Sequence, residues 1–209
     1  MTTSEMNPQG KSNPLTVEGL VVKYGKNTVL DGITFAVPPG SVTALLGRNG
    51  SGKTSLVRCL LGQQKPRAGI CRIEGHDTWR DRVLALRKVA VVPEEPDAPP
   101  EMSPQDLGKF SSYVCPGWDQ ASFVKRLKQF QLPEKTPFQK LSRGQKALSM
   151  LAMALSSRPQ VLILDDPSLG LDAVARQILF EEVLGSISEE GLTVLITTHD
   201  LDAIEMIAG

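Results

Sequence analysis

An α/β fold with a mainly parallel core sheet, N-terminal antiparallel strands and an inserted helical subdomain is predicted by three features of the 209-residue sequence. Short apolar runs alternate with helical stretches through the last third, as right-handed strand–helix–strand crossovers require. Two segments of alternating polarity, Leu15 to Tyr24 and Thr28 to Val37, lie either side of a Gly25-Lys26-Asn27 turn, the pattern of paired half-buried strands. Between these parts, Pro93 to Gln139 carries helix-start signals and no strand-like run.

The length suits one α/β domain with a small insertion and a real core. We expect a polar tail over 1–14 and one domain over 15–209, with the helical subdomain at about 95–140. The tail lacks the apolar stretch of a signal peptide. Lys+Arg and Asp+Glu both total 23, so no global basic field argues for nucleic acid as a partner. The three cysteines, Cys59, Cys71 and Cys115, form no CxxC pair, and a reducing compartment is the simplest reading. No apolar run reaches the roughly 18 residues of a membrane span, so any membrane role comes through a partner.

Taken in order, Pro38-Pro39-Gly40 is a turn, and Val42 to Leu46 is a short apolar strand suited to burial on both faces. A Gly-rich loop leads into a helix near Lys53. Ile70 to Ile73 and Val89 to Val92 read as strands around a helical stretch at Asp81 to Arg87, with His76 in a turn. Pro93 to Pro100 holds four prolines and is a loop. Ser103-Pro104 starts one helix and Asp119 caps another, whose apolar positions are Phe123, Leu127 and Phe130. Helices at about Gly144 to Ser156 and Ala173 to Ser188 alternate with strands at Val161 to Leu164 and Thr193 to Thr197. A last helix begins near Asp200.

The chemistry is concentrated at strand ends. Gly47-Arg48-Asn49-Gly50-Ser51-Gly52-Lys53-Thr54, followed by Ser55, fits GxxxxGK[ST] between a buried strand and a helix start. Glycines there let successive N–H groups converge on one anion, and the helix N-terminus adds partial positive charge. Lys53 would meet the β- and γ-phosphates of ATP, and the Thr54 hydroxyl would ligate Mg²⁺. The pattern predicts the phosphate loop of a P-loop NTPase rather than a Gly-rich turn that happens to precede a helix. Val161 to Leu164 runs into Asp165-Asp166, which alone could be a solvated strand end. Beside a phosphate loop, a parallel sheet brings Asp165 toward the same magnesium and puts Asp166 where a base orients the attacking water.

In these residues the chain resembles the ATP-binding cassette (ABC) family of nucleotide-binding subunits, over nearly its whole length from about Leu15. Leu141-Ser142-Arg143-Gly144-Gln145 resembles the family's LSGGQ motif, Asp165 to Asp172 its magnesium site and D-loop, and Thr198-His199-Asp200 its switch-histidine segment. The part around Gly117-Trp118-Asp119 resembles the helical subdomain of short bacterial exporter cassettes. The resemblance implies that Tyr24 stacks on adenine, although a strand residue facing the core would look the same. It implies that His199 bonds the γ-phosphate, where a capping or surface histidine is the plainer reading. Ser142, Gly144 and Gln145 would serve the nucleotide of a second ABC ATPase subunit, identical or not, packed head to tail. Transmembrane permease subunits would complete the machine, with this chain peripheral on the cytoplasmic face of the membrane. Trp118 could line the groove for a permease helix or be a plain core residue.

Three departures stand out. Asp166 replaces the family's usual Glu and is one methylene shorter, which implies slow hydrolysis. Pro93-Glu94 stands where the family has Gln, so Glu94 would reach magnesium through water while adding negative charge. Arg143 replaces the first glycine of LSGGQ. Family members also continue past the switch histidine, so 209 residues would be a short or trimmed form. The competing expectations are a soluble ABC ATPase without a transport role and an ATP-dependent regulatory module with weak hydrolysis.

Overall fold

The computed structural model describes residues 12–201 and 205–206. Two four-stranded sheets form the frame. Strands β1 (Leu15–Tyr24), β2 (Asn27–Val37), β4 (Ala68–Ile73) and β5 (His76–Asp77) make an antiparallel sheet in the order β2-β1-β4-β5. Strands β3 (Val42–Leu46), β6 (Val89–Val92), β7 (Val161–Asp165) and β8 (Thr193–Thr198) make a parallel sheet in the order β3-β8-β7-β6. Helices α1 (Lys53–Leu60), α2 (Arg82–Leu86), α3 (Pro104–Val114), α4 (Gln120–Gln129), α5 (Arg143–Ser156) and α6 (Ala173–Glu190), with one 3₁₀ turn at Phe138–Lys140, complete the described elements.

Every residue of β7 and β8 is buried, which explains their unbroken apolar runs. Successive side chains of a strand face opposite ways. Leu162 and Leu164 therefore pack with Val194 and Ile196 against α5 and α6. Val161, Ile163 and Leu195 pack on the other side with α1 and the antiparallel sheet. Each such side chain, fully buried, contributes about 1.5–3 kcal/mol. Because the four parallel strands run the same way, Leu46, Val92, Asp165 and Thr198 all lie at one edge, with Leu46 opposite Thr198 and Asp165 opposite Thr197.

The insertion is helical. Ser103 and Asp106 close a reciprocal capping box at the start of α3, with Pro104 at the first helical position. Asp119 caps α4 by accepting the Ser122 N–H at 2.9 Å. The helices α3 and α4 meet where a side chain on Gly108 would collide with the Phe123 ring. Arg126 of α4, shielded from water, reaches Glu182 of α6 at 2.7 Å and joins the insertion to the core. Trp118 meets Phe123 at a tilt of 50°, with ring centroids 5.1 Å apart, and packs against the main core. Replacing Trp118 with Ala is therefore expected to cost about 2 kcal/mol, part of the cost of a fully buried aromatic. Thermal melting would show it, with nucleotide binding unchanged; an unaltered melting temperature would contradict this packing.

Several boundaries differ from the sequence reading. His76 lies in the short strand β5, paired with Ile73, and the turn is Glu74-Gly75, both with positive φ. A ladder this short has too few residues to show a period. Strand β4 starts earlier, with Ala68 opposite Val21. The helix expected from near Asp200 falls largely outside the described residues, although Leu201, Glu205 and Met206 are helical.

All three cysteines are free, and Cys59 and Cys71 are buried between α1 and the antiparallel sheet. Burial pushes the Cys59 thiol from an ordinary 9.0 up to about 11, and Cys71 further in the same direction. A raised folded-state value favours the neutral thiol, so this stability is full below about pH 9 and falls as pH rises toward 11. The urea midpoint should drop between pH 8 and pH 10.5, and Cys59→Ala should flatten part of that drop. A midpoint independent of pH in both proteins would contradict it.

Candidate active site

At the shared edge of the parallel strands lies a cavity of about 330 Å³. It is lined by Tyr24, Val29, Asn49, Gly50, Gly52, Lys53, Thr54, Ser55, Glu94, Asp165 and Asp166.

The loop that forms its floor is shaped by its own bonds. The Gly47 N–H donates to the Thr198 carbonyl at 3.0 Å, and the Ser51 N–H to Arg48 at 3.1 Å. Gly50 and Gly52 take φ values of 80° and 97°, open to glycine at little cost. At Gly52 a Cβ would also stand 2.6 Å from Leu30. Helix α1 starts there with no side-chain cap and no acid in its first turn. Its leading N–H groups are thus free of side-chain competition for an anion. Lys53 Nζ donates to the carbonyls of Gly47 and Arg48, folding its ammonium over the loop.

The acids are held differently. Asp165 accepts the Thr197 hydroxyl at 2.5 Å in a buried contact, leaving its other oxygen for the cavity. Asp166 is 4% exposed. Its backbone has φ 46°, a left-handed conformation that Asp tolerates better than most residues. That bend turns the carboxylate onto His199 Nδ1 at 2.5 Å, with the Thr198 hydroxyl at 3.4 Å. So His199 reaches the site through Asp166.

Tyr24 is 46% exposed. It therefore faces the cavity and not the core. Its phenol donates to Gln64 Oε1 at 2.6 Å and sits 3.2 Å from Ser55 Oγ. The Ser55 hydroxyl beside it holds its pKa below the ordinary phenol value.

The Ser142 segment lies outside this cavity. Ser142 Oγ accepts the Gln145 N–H at 3.2 Å, and Gln145 Oε1 accepts the Ser142 N–H at 2.9 Å. This is a capping box, legible in the S-x-x-Q spacing. The Ser142 hydroxyl keeps its proton for an acceptor. Gly144 is buried, where a Cβ would stand 3.0 Å from Ala175 of α6. Gly47 and Ser51 shape the loop from outside the lining. The sequence reading missed Val29 and Thr197, which their strands bring to the site, and Gln64, which the turn after α1 brings to the Tyr24 phenol.

Thr54, Asp165 and Glu94 present hard oxygen donors to one cavity and suit Mg²⁺. Among the described residues no three His, Cys, Asp or Glu side chains gather closely enough to hold a metal unaided. A magnesium ion here would complete its shell with phosphate oxygens and water.

The sequence pattern of the ABC transporter family matches residues 30–169. Nod factor export ATP-binding protein I of Ralstonia nicotianae is 36% identical over 203 residues, covering 94% of this chain and 62% of that protein. The lantibiotic transport ATP-binding protein SrtF of Streptococcus pyogenes is 33% identical over 196 residues, covering 93% and 83%. The chain thus spans about three fifths of the length of the Nod factor relatives it matches. Among solved structures, the ATP-binding subunit of an ABC transporter superposes with a TM-score of 0.82 at 29% identity, covering 91% of this chain and 81% of that one.

Proposed function

The chain belongs to the ABC transporter family, and from that premise we propose that it binds and hydrolyses ATP with Mg²⁺ to drive transport by separate membrane subunits. The observation that carries this is one cavity shared by the uncapped start of α1, Lys53, Thr54 and the two acids ending β7.

Main-chain N–H groups of the loop grip the phosphates, and Lys53 places a cation on the β- and γ-phosphates. Thr54 and Asp165 would hold magnesium, with Glu94 lining the same cavity as a further oxygen donor. When bound, the ion polarises phosphate oxygens as a Lewis acid. Asp166 orients the attacking water and takes its proton, while His199 and Thr198 keep its carboxylate aimed. Tyr24 covers the adenine from the side. Because Asp166 is shorter than Glu, hydrolysis is slow and the ATP-bound state long-lived.

A second ABC ATPase subunit, packed head to tail, receives Ser142 and Gly144 at its own γ-phosphate. Their place outside this chain's cavity supports that reading. Permease docking is supported by Val83, Phe110, Tyr113 and Val114, which are 69%, 57%, 78% and 55% exposed. Val83 and Val114 also rim a cavity of about 460 Å³ between α2 and the end of α3, and clustered exposed apolar groups mark interaction sites. The place we propose for the chain is peripheral, on the cytoplasmic face of the membrane, and no described helix is long and apolar enough to cross a membrane.

Phosphate release by the purified chain, with and without magnesium, tests the proposal. Magnesium-dependent release is expected. ATP binding without release would favour the ATP-dependent regulatory module, and release with no co-purifying membrane protein would favour a soluble ATPase.

A further inference from the structure

Arg143 opens α5 beside Ser142, and a long cation at an exposed first-turn position ordinarily extends into water. Here its Nη2 donates to the Glu94 carbonyl at 3.3 Å, joining residues 49 apart in sequence. Its other side lies against Gly170. A Cβ on Gly170 would stand 2.9 Å from Arg143 Nε, 3.0 Å from Cδ and 3.2 Å from Cζ. Three atoms of one side chain therefore occupy the space next to a residue whose φ of +68° already favours glycine.

Both segments touched by Arg143 carry acids of the cavity. Glu94 lines it directly. The turn that includes Gly170 begins at Asp166, whose carbonyl accepts the Leu169 N–H at 3.2 Å, and it ends at Asp172, which caps α6. The planar, multi-donor guanidinium can bond one segment while packing on another, which a lysine ammonium does less well.

We propose that Arg143 is a positioning residue, a strap tying the Ser142 end of α5 to the Glu94 loop and to the turn after β7. The effect on turnover rests on the ATPase reading given above; the strap itself does not. It sets where the Glu94 carboxylate and the Asp166 turn stand relative to the Ser142 motif, so that the three move together.

The test uses Arg143→Gly, Arg143→Lys and Gly170→Ala in the full chain. Amide exchange should quicken at Glu94 and Glu95 and at Leu169–Leu171 in Arg143→Gly, and stay as it was in α1. Its kcat should fall about tenfold, short of the roughly hundredfold that a 1 Å misplacement can cost, with KM for ATP and melting temperature held. Arg143→Lys should recover part of kcat. Gly170→Ala should slow the parent but have less effect once Arg143 is Gly. Unchanged exchange at either segment, or losses that simply add, would overturn the strap. Faster exchange in a chain that never hydrolyses ATP would sustain the strap and overturn the ATPase reading. If Gly170→Ala does not fold, exchange and kcat in Arg143→Gly decide the matter.

Discussion

Lys53→Ala is expected to lower kcat/KM for ATP by about 10²–10³-fold, the scale for removing one preorganised donor from a charged transition state. The ammonium is tied to the Gly47 and Arg48 carbonyls. Its loss removes both the cation facing the phosphates and a clasp across the loop. The remaining loop bonds, Gly47 to Thr198 and Ser51 to Arg48, do not involve the side chain, so the fold should persist. Calorimetry should show weaker ATP uptake, and circular dichroism an unchanged spectrum. ATP uptake absent from the well-folded parent, and unaltered by this substitution, would sink the functional reading.

Asp166→Asn should reduce turnover by about 10²-fold or more, the low end of what general base catalysis contributes. This substitution isolates charge. Asn has the same size, accepts the left-handed backbone as readily as Asp, and can still bond His199 or Thr198. Asp166→Glu acts in opposite directions on rate and stability. The added methylene carries the carboxylate toward the nucleophile, and about tenfold faster turnover is expected, within the range that about 1 Å of placement commands. Glu is less suited to φ 46°, and a cost of about 1 kcal/mol should lower the melting temperature by about 2–4 °C. If both variants turn over like the parent, Asp166 is not the base.

Much of the frame was legible because its signals are local. The apolar runs of β3, β7 and β8, the glycines before Lys53, and the Ser103-Pro104 start need no partner to be read. What escaped depends on pairing between distant segments. Thr197 meets Asp165 only through the register of β7 and β8. The bend at Asp166 goes with the bond from its N–H to the Thr197 carbonyl, at 2.8 Å, which nothing in Asp-Asp-Pro announces. Ser142 and Gln145 carried two meanings at one spacing, an anion motif and a helix cap, and the cap was overlooked. Gly108 drew no reading of its own, because the Phe123 ring that it admits comes from the next helix.

The cavity draws on two hydrogen-bonded sheets that share no ladder. Tyr24 and Val29 come from the antiparallel one, while Glu94, Asp165 and Asp166 follow or end strands of the parallel one. On the proposed reading, the aromatic surface offered to the base and the groups offered to the triphosphate are therefore carried by separate frames, so a change in the hairpin can leave the acids where they are.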